Sequence, residues 1–298
     1  MVKKQDLLIN NERVGFSLYD DSLSTALRTT QADAQKEAFV VASMPELLVL
    51  RRQVPFTNSM WSTWYACNQE EDVGTTPQGK KVVIEVVGGG ILTPERIETA
   101  YERGLTKQYA AHLAESEIRA LLEGKLANGT QIPIYSFADF KAGIKDKPRQ
   151  YAVVMDYDMA KNAASGHLPV ESLRDNALVI VRSGGVAEAN ALVDKVAQRY
   201  TNYGNWHPFN AINSDETQGR VLFVGDDGDG GLDGYSLLYS DGRFVGVAPE
   251  ALVARSADAK KSPLEGMVSV ALPRELFAGL EGGAETLTYK GRTYDLRK

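Results

Sequence analysis

The run Val181-Arg182-Ser183-Gly184-Gly185 sets a serine between an apolar stretch and an alanine-rich segment. That is the local arrangement of a nucleophile elbow, in which a sharp strand-to-helix turn exposes a hydroxyl for attack on an acyl carbon. Ser183 is therefore the candidate catalytic nucleophile. His207, in the aromatic segment YGNWHPFN, is the candidate base; an imidazole among rings is also the composition of a small-ligand pocket. Gly88, Gly89 and Gly90 follow another apolar run and would supply backbone N–H donors to an oxyanion. The chain departs from the esterase pattern in three places. Val181 stands where the elbow wants glycine, Val87 stands where a histidine would lead the glycine run, and no histidine follows His207, which leaves Asp194 on the intervening helix as the acid.

The same glycines, Gly88, Gly89, Gly90, Gly184 and Gly185, admit a second chemistry. Free N–H groups and the helix dipoles opening at Thr93 and Val186 would hold a phosphate or carboxylate. No G-x-G-x-x-G or G-x-x-x-x-G-K-[ST] pattern occurs, so the glycines specify no nucleotide. They also admit a purely steric role, letting the chain reverse tightly and a helix pack close to a sheet. Asp226, Asp227, Asp229 and Asp233 crowd the glycine-rich turn DDGDGGLDG, and clustered carboxylates on a flexible backbone suit a hard cation such as calcium. Counted from Asp229, however, position 12 of the EF-hand pattern is Ser240 rather than glutamate, and a solvated hairpin loop is the competing reading. The three histidines, His112, His167 and His207, show no metal-binding spacing. Cys67 reads as a buried packing residue. Asp156 and Asp158 end an apolar run, where α/β sheets often meet ligands.

Two strand, glycine turn, helix units are expected to position these groups, at 81–103 and 177–200. In the first, KKVVIEVV runs into the three glycines, Thr93 caps a helix with Pro94 and Glu95 in its first turn, and Gly104 ends it. In the second, NALVIVRS reads as a buried strand leading through Gly184 and Gly185 into VAEANALVDKVAQRY. Between them, AESEIRALLEG reads as a helix, QIPIYSF as a strand after an Asn128-Gly129 turn, and YAVVMDYDM as a strand. Residues 1–80 read as mainly helical: one helix capped by Asp21 or Ser22, a break at Pro45, and a third helix placing Met60, Trp64 and Cys67 on one face. Residues 214–298 read as β-rich, with GRVLFVG, YSLLYS, RFVGVA and MVSVAL as strands, a short helix from Arg274 and a closing hairpin at Lys290-Gly291. The expectation is a mixed α/β chain, with a partly parallel central sheet, flanking helices and an antiparallel C-terminal third, in one composite domain.

The whole chain sets the outer bounds. It has 298 residues, of which 43% are hydrophobic and 24% charged, the composition of a globular protein with a core of its own. A net charge of −6 without any basic run excludes the phosphate attraction of a general nucleic-acid binder. No apolar stretch approaches the 18 residues of a membrane span, and the three-residue Leu7-Leu8-Ile9 stretch is too short for a secretory signal. One cysteine and no signal point to the cytoplasm. Two functional classes follow: a protein binding a small anionic or acyl ligand near Ser183, His207 and the glycine turns, with hydrolase or transferase chemistry there, and a non-catalytic interaction module in which the turns are only tight connections.

Overall fold

The structure, a computed structural model, describes residues 3–212, 216–226, 231–235, 238, 241–253, 286–289 and 292–295. The chain separates into two compact units, Met1–Ser256 and Ala257–Lys298. The first opens with a hairpin of β1 (Lys3–Ile9) and β2 (Glu12–Asp20), whose tight turn puts Asn10 and Asn11 at φ 52° and 65°. Asparagine tolerates that left-handed backbone better than other side-chain-bearing residues. Helix α1 (Leu23–Lys36) follows, with the Ser22 side chain accepting from Thr25 N–H as a cap. After β3 (Val40–Val41), α2 (Met44–Arg52) carries Pro45 in its first turn, where the missing N–H costs nothing.

The expected third helix does not form. Trp64 precedes, and Cys67 lies within, the long strand β4 (Tyr65–Thr75), so the first 80 residues hold more strand than helix. The segment carries period-3 and period-2 patterns at once, and pairing on both sides decides for the strand. Next come β5 (Lys81–Val87), α3 (Pro94–Arg103), β6 (Ala111–His112), α4 (Glu115–Leu122), β7 (Ile134–Ser136), α5 (Phe137–Ala142), β8 (Tyr151–Asp156) and α6 (Tyr157–Asn162). Here the reading from sequence meets the structure closely: Thr93 Oγ1 accepts from Arg96 N–H and Gly104 at φ 89° closes α3. Asp156 caps α6 by accepting from Asp158 N–H at 2.8 Å.

After β9 (Gly166–Pro169), the run NALVIVRS is not a strand but α7 (Ala177–Ser183), followed by α8 (Val186–Val196). Every residue of α7 from Leu178 to Ser183 is buried, and a segment buried all round has no exposed face that distinguishes helix from strand. Local chemistry decides: Asn176 Oδ1 accepts from Leu178 and Val179 N–H, and Gly184 at φ 97° supplies the left-handed cap. The unit finishes with β10 (Asn202–Trp206), β11 (Gln218–Val224), β12 (Leu232–Asp233), β13 (Gly242–Val247) and α9 (Pro249–Val253). The second unit shows a closing hairpin of β14 (Thr286–Tyr289) and β15 (Arg292–Asp295). The expected strand MVSVAL and helix from Arg274 lie outside the described residues, as does most of YSLLYS.

The central sheet runs β7-β8-β5-β4-β11-β12-β10-β9, with β6 beside β11. Only β7–β8 and β10–β12 are parallel pairs; the others are antiparallel, which makes the unit an α+β fold. A smaller antiparallel sheet, β1-β2-β13-β3, stands beside it. Strand alternation sends Val83 and Val87 of β5 into one core with α2, α7 and α8, and Val82, Ile84 and Val86 into a second core with α1, α3 and α4. The sheet centre is thus dry on both faces.

Candidate functional site

Ser183 ends α7 and is 1% exposed, and its Oγ has no hydrogen-bond partner among the described residues. The turn after it is a helix-to-helix corner: Gly185 N–H donates to Ile180 C=O at 2.9 Å and Gly184 N–H to Val181 C=O at 3.1 Å, which closes the preceding helix. A Cβ on Gly184 would stand 3.0 Å from Pro45 Cβ, and Lys147 donates to the Gly184 carbonyl. His207 is 5% exposed and stacks on Phe209 with ring centroids 4.9 Å apart. Its Nε2 bonds Ala163 C=O at 2.8 Å while Nδ1 receives Phe209 N–H at 3.3 Å, the pattern of a neutral ring with its proton on Nε2. Burial holds its pKa below the usual imidazole value.

Just after the Gly88–Gly90 turn, two backbone N–H groups are taken by a carboxyl of the chain itself. Ile91 N–H donates to Glu70 Oε1 at 2.5 Å and Leu92 N–H to Glu70 Oε2 at 2.7 Å. A Cβ on Gly90 would overlap that carboxylate, which is the steric reason for glycine there. In the acidic loop, Asp227 and Asp229 lie outside the described residues, and Asp233 Oδ1 accepts from Tyr235 N–H at 2.6 Å. Among the described residues no three His, Cys, Asp or Glu side chains are grouped to hold a metal ion. Cys67 is buried and free, and its thiol is pushed far above its ordinary value by burial.

The charged groups that matter most in the interior come from a segment whose sequence pattern looked helical. Gln69, Glu70, Glu71 and Asp72 of β4 are all buried, as is Glu85 of β5. Glu71 pairs across the ladder with Glu85 on one side and Arg220 on the other. Into this face α7 inserts Arg182, fully buried, which donates to Glu71 Oε2 at 2.6 Å, Trp206 C=O at 2.9 Å, Asn205 Oδ1 at 3.0 Å and Glu85 Oε1 at 3.3 Å. Burial and the neighbouring Glu71 push the Glu85 carboxyl well above the carboxylate range. On the opposite face lie Glu70 and Asp72. Three consecutive acids inside an apolar surround, QEEDV, were the available signal; for Glu71 the partner is Arg182, 111 residues onward.

Two features remain at the surface. A cleft of about 480 Å³ between α3 and α4 adjoins another of about 370 Å³, and the ion pair of Arg96 and Glu117, 2.8 Å, stands between them. Elsewhere, backbone bonds stitch loops together: Leu238 N–H to Tyr109 C=O at 3.0 Å, Gly234 N–H to Trp206 C=O at 3.0 Å, and Gly225 N–H to Gly231 C=O at 2.8 Å. Gln108 Nε2 adds a bond to Ala211 C=O at 2.7 Å, and Tyr101 Oη one to Leu238 C=O. On these tied segments Tyr109 and Tyr235 are exposed, at 47% and 49%.

No family model matches the chain, and no curated protein matches it. Among solved structures, the chain resembles one from work on the accommodation of massive sequence variation in Nanoarchaeota by the C-type lectin fold. The two share 27% identity at a TM-score of 0.61, across 81% of this chain and all of the other. The protein is thus similar to the C-type lectin fold in architecture. Among its described residues no helix is long and apolar enough to cross a membrane.

Proposed function

We propose that the chain is a non-catalytic recognition module that binds a protein partner through its stitched loops. The observation that carries this reading is the exposure of Tyr109 and Tyr235 on segments whose backbones are tied to one another and to Ala211 and Trp206. Tyrosine offers a large amphipathic contact at low entropic cost, and rigid presentation lowers the ordering penalty of binding. The segments 201–217 and 226–242 are rich in Asn, Gly, Ser, Tyr and Asp, the composition of adaptable binding loops. Five aspartates between 226 and 241 favour a basic partner surface. The related structure, on a fold that accommodates massive sequence variation, supports a division between an internally bonded scaffold and replaceable surface residues.

The test is selection of a displayed peptide library on the immobilised protein, followed by titration of the selected peptides against the parent and a Tyr109→Ser/Tyr235→Ser variant. Basic, aromatic-rich peptides that lose about tenfold or more in affinity for the variant, with its unfolding temperature unchanged, support the reading. Peptides bound equally by both proteins overturn the surface assignment. Stabilisation by phosphate or short acyl compounds, with no peptide selected, would return the weight to a small-ligand pocket.

A further inference from the structure

We propose that Glu70 and Asp72 form a proton-holding latch that fastens the Gly88–Leu92 turn, and with it the start of α3, to the sheet, tight at acidic pH and released as pH rises. The geometry leads there. The two residues are two apart on β4, so their side chains share a face, and that face is 2% exposed at Glu70 and closed at Asp72. Glu70 takes both available N–H donors, those of Ile91 and Leu92. Neither oxygen of Asp72 receives a hydrogen bond from any N–H or neutral O–H of the described residues, and a Cβ on the facing Gly219 would overlap Oδ1, so no room is left beside it.

The charged groups around the couple do not neutralise it. From α4 comes Glu117, already bonded to Arg96 of α3; from β5 comes Glu85; β6 offers His112, exposed and 3.7 Å from Glu216. β11 contributes Gly219 here, while its Arg220 pairs in register with Glu71 on the far face, where Arg182 lies. Two ionised carboxylates with no cation bonded to either among the described residues are too costly to persist, and the arrangement is satisfied when Asp72 keeps its proton and donates it to Glu70. Burial first and Glu70 second push the Asp72 carboxyl well above the carboxylate range. A group whose folded value is raised stabilises fully below its unfolded value, and that contribution is lost as pH rises toward the folded value. Ionisation of Asp72 would therefore set a second charge against Glu70, and relief comes from opening the turn to water.

Hydrogen exchange read at single amides on the full chain tests this. With intrinsic base catalysis removed, the opening constants of the Ile91 and Leu92 amides in the parent are expected to rise about tenfold per pH unit from about pH 5 upward, the slope of a one-proton linkage. In Asp72→Asn, whose amide donates to Glu70 without titrating, they are expected to stay flat. Equal slopes in both proteins, or a flat parent, overturn the latch. Should the variant not fold, the parent alone decides through carboxyl carbon NMR: a protonated Asp72 side chain at pH 7 upholds the proposal, and an ionised one overturns it.

Discussion

Arg182 offers the sharpest test of how the interior is held. It is fully buried, as are Glu71 and Glu85, and its guanidinium donates to four acceptors on three separate chain segments, at 2.6 to 3.3 Å. Arg182→Met keeps the apolar stem and removes the cation and every donor. A buried ion pair broken on one side costs about 3–5 kcal/mol, because the surviving charge is left dry and unpaired. At about 2–4 °C per kcal/mol for a unit of this size, the unfolding temperature should fall by about 6–20 °C. The loss should be larger at pH 8 than at pH 5, since Arg182 holds down the already raised Glu85 carboxyl; without the cation it is raised further, and a raised group loses its stabilising contribution as pH rises. Urea and thermal unfolding at the two pH values read both effects. Adding Glu71→Gln to Arg182→Met should recover part of the loss by removing the stranded charge. A loss below about 1 kcal/mol at pH 8, or one independent of pH, would refute the account of Arg182 as the counter-charge of these strands.

Two further substitutions address the residues with the clearest chemical potential in the sequence. Ser183→Ala removes a buried hydroxyl that bonds nothing among the described residues, so stability should change by less than about 1 kcal/mol; a larger drop in a urea midpoint would mean the hydroxyl has a partner. His207 titrates in the opposite sense to Asp72. Its folded value is depressed, so the stability it contributes is present above the ordinary imidazole value near 6.5 and is lost as pH falls through the folded value. His207→Gln should accordingly flatten the acid limb of the unfolding temperature between pH 7 and pH 5, and an unchanged acid limb would show that another group carries it.

Much of the first unit was legible because its signals are local. Ser22 at α1, and Thr93 with Pro94 and Gly104 around α3, each act within a few residues. Their chemistry requires no knowledge of the rest of the chain. The glycine turn at 88–90 was legible as a turn, yet nothing local identified the group bonded just after it, because Glu70 arrives from a neighbouring strand, 21 residues before Ile91. The acidic loop was legible only as a composition.

What the sequence determined by itself, then, is where the chain can cap, turn and reverse, and that its apolar content suffices for a buried sheet. Tertiary structure decided two segments, the run leading to Ser183 and the acids of β4. The run Leu178–Val181 is apolar throughout, so either regular conformation would bury it; it became a helix because Asn176 and Gly184 close its ends and because the core with α2 and α8 had room for it. The acids of β4 went inside because Arg182, Asn205 and the backbone of the Gly88–Leu92 turn meet them there. Burying a charge is costly in isolation and sustainable only with partners, and partners distant in sequence exist for a residue only after the chain has folded.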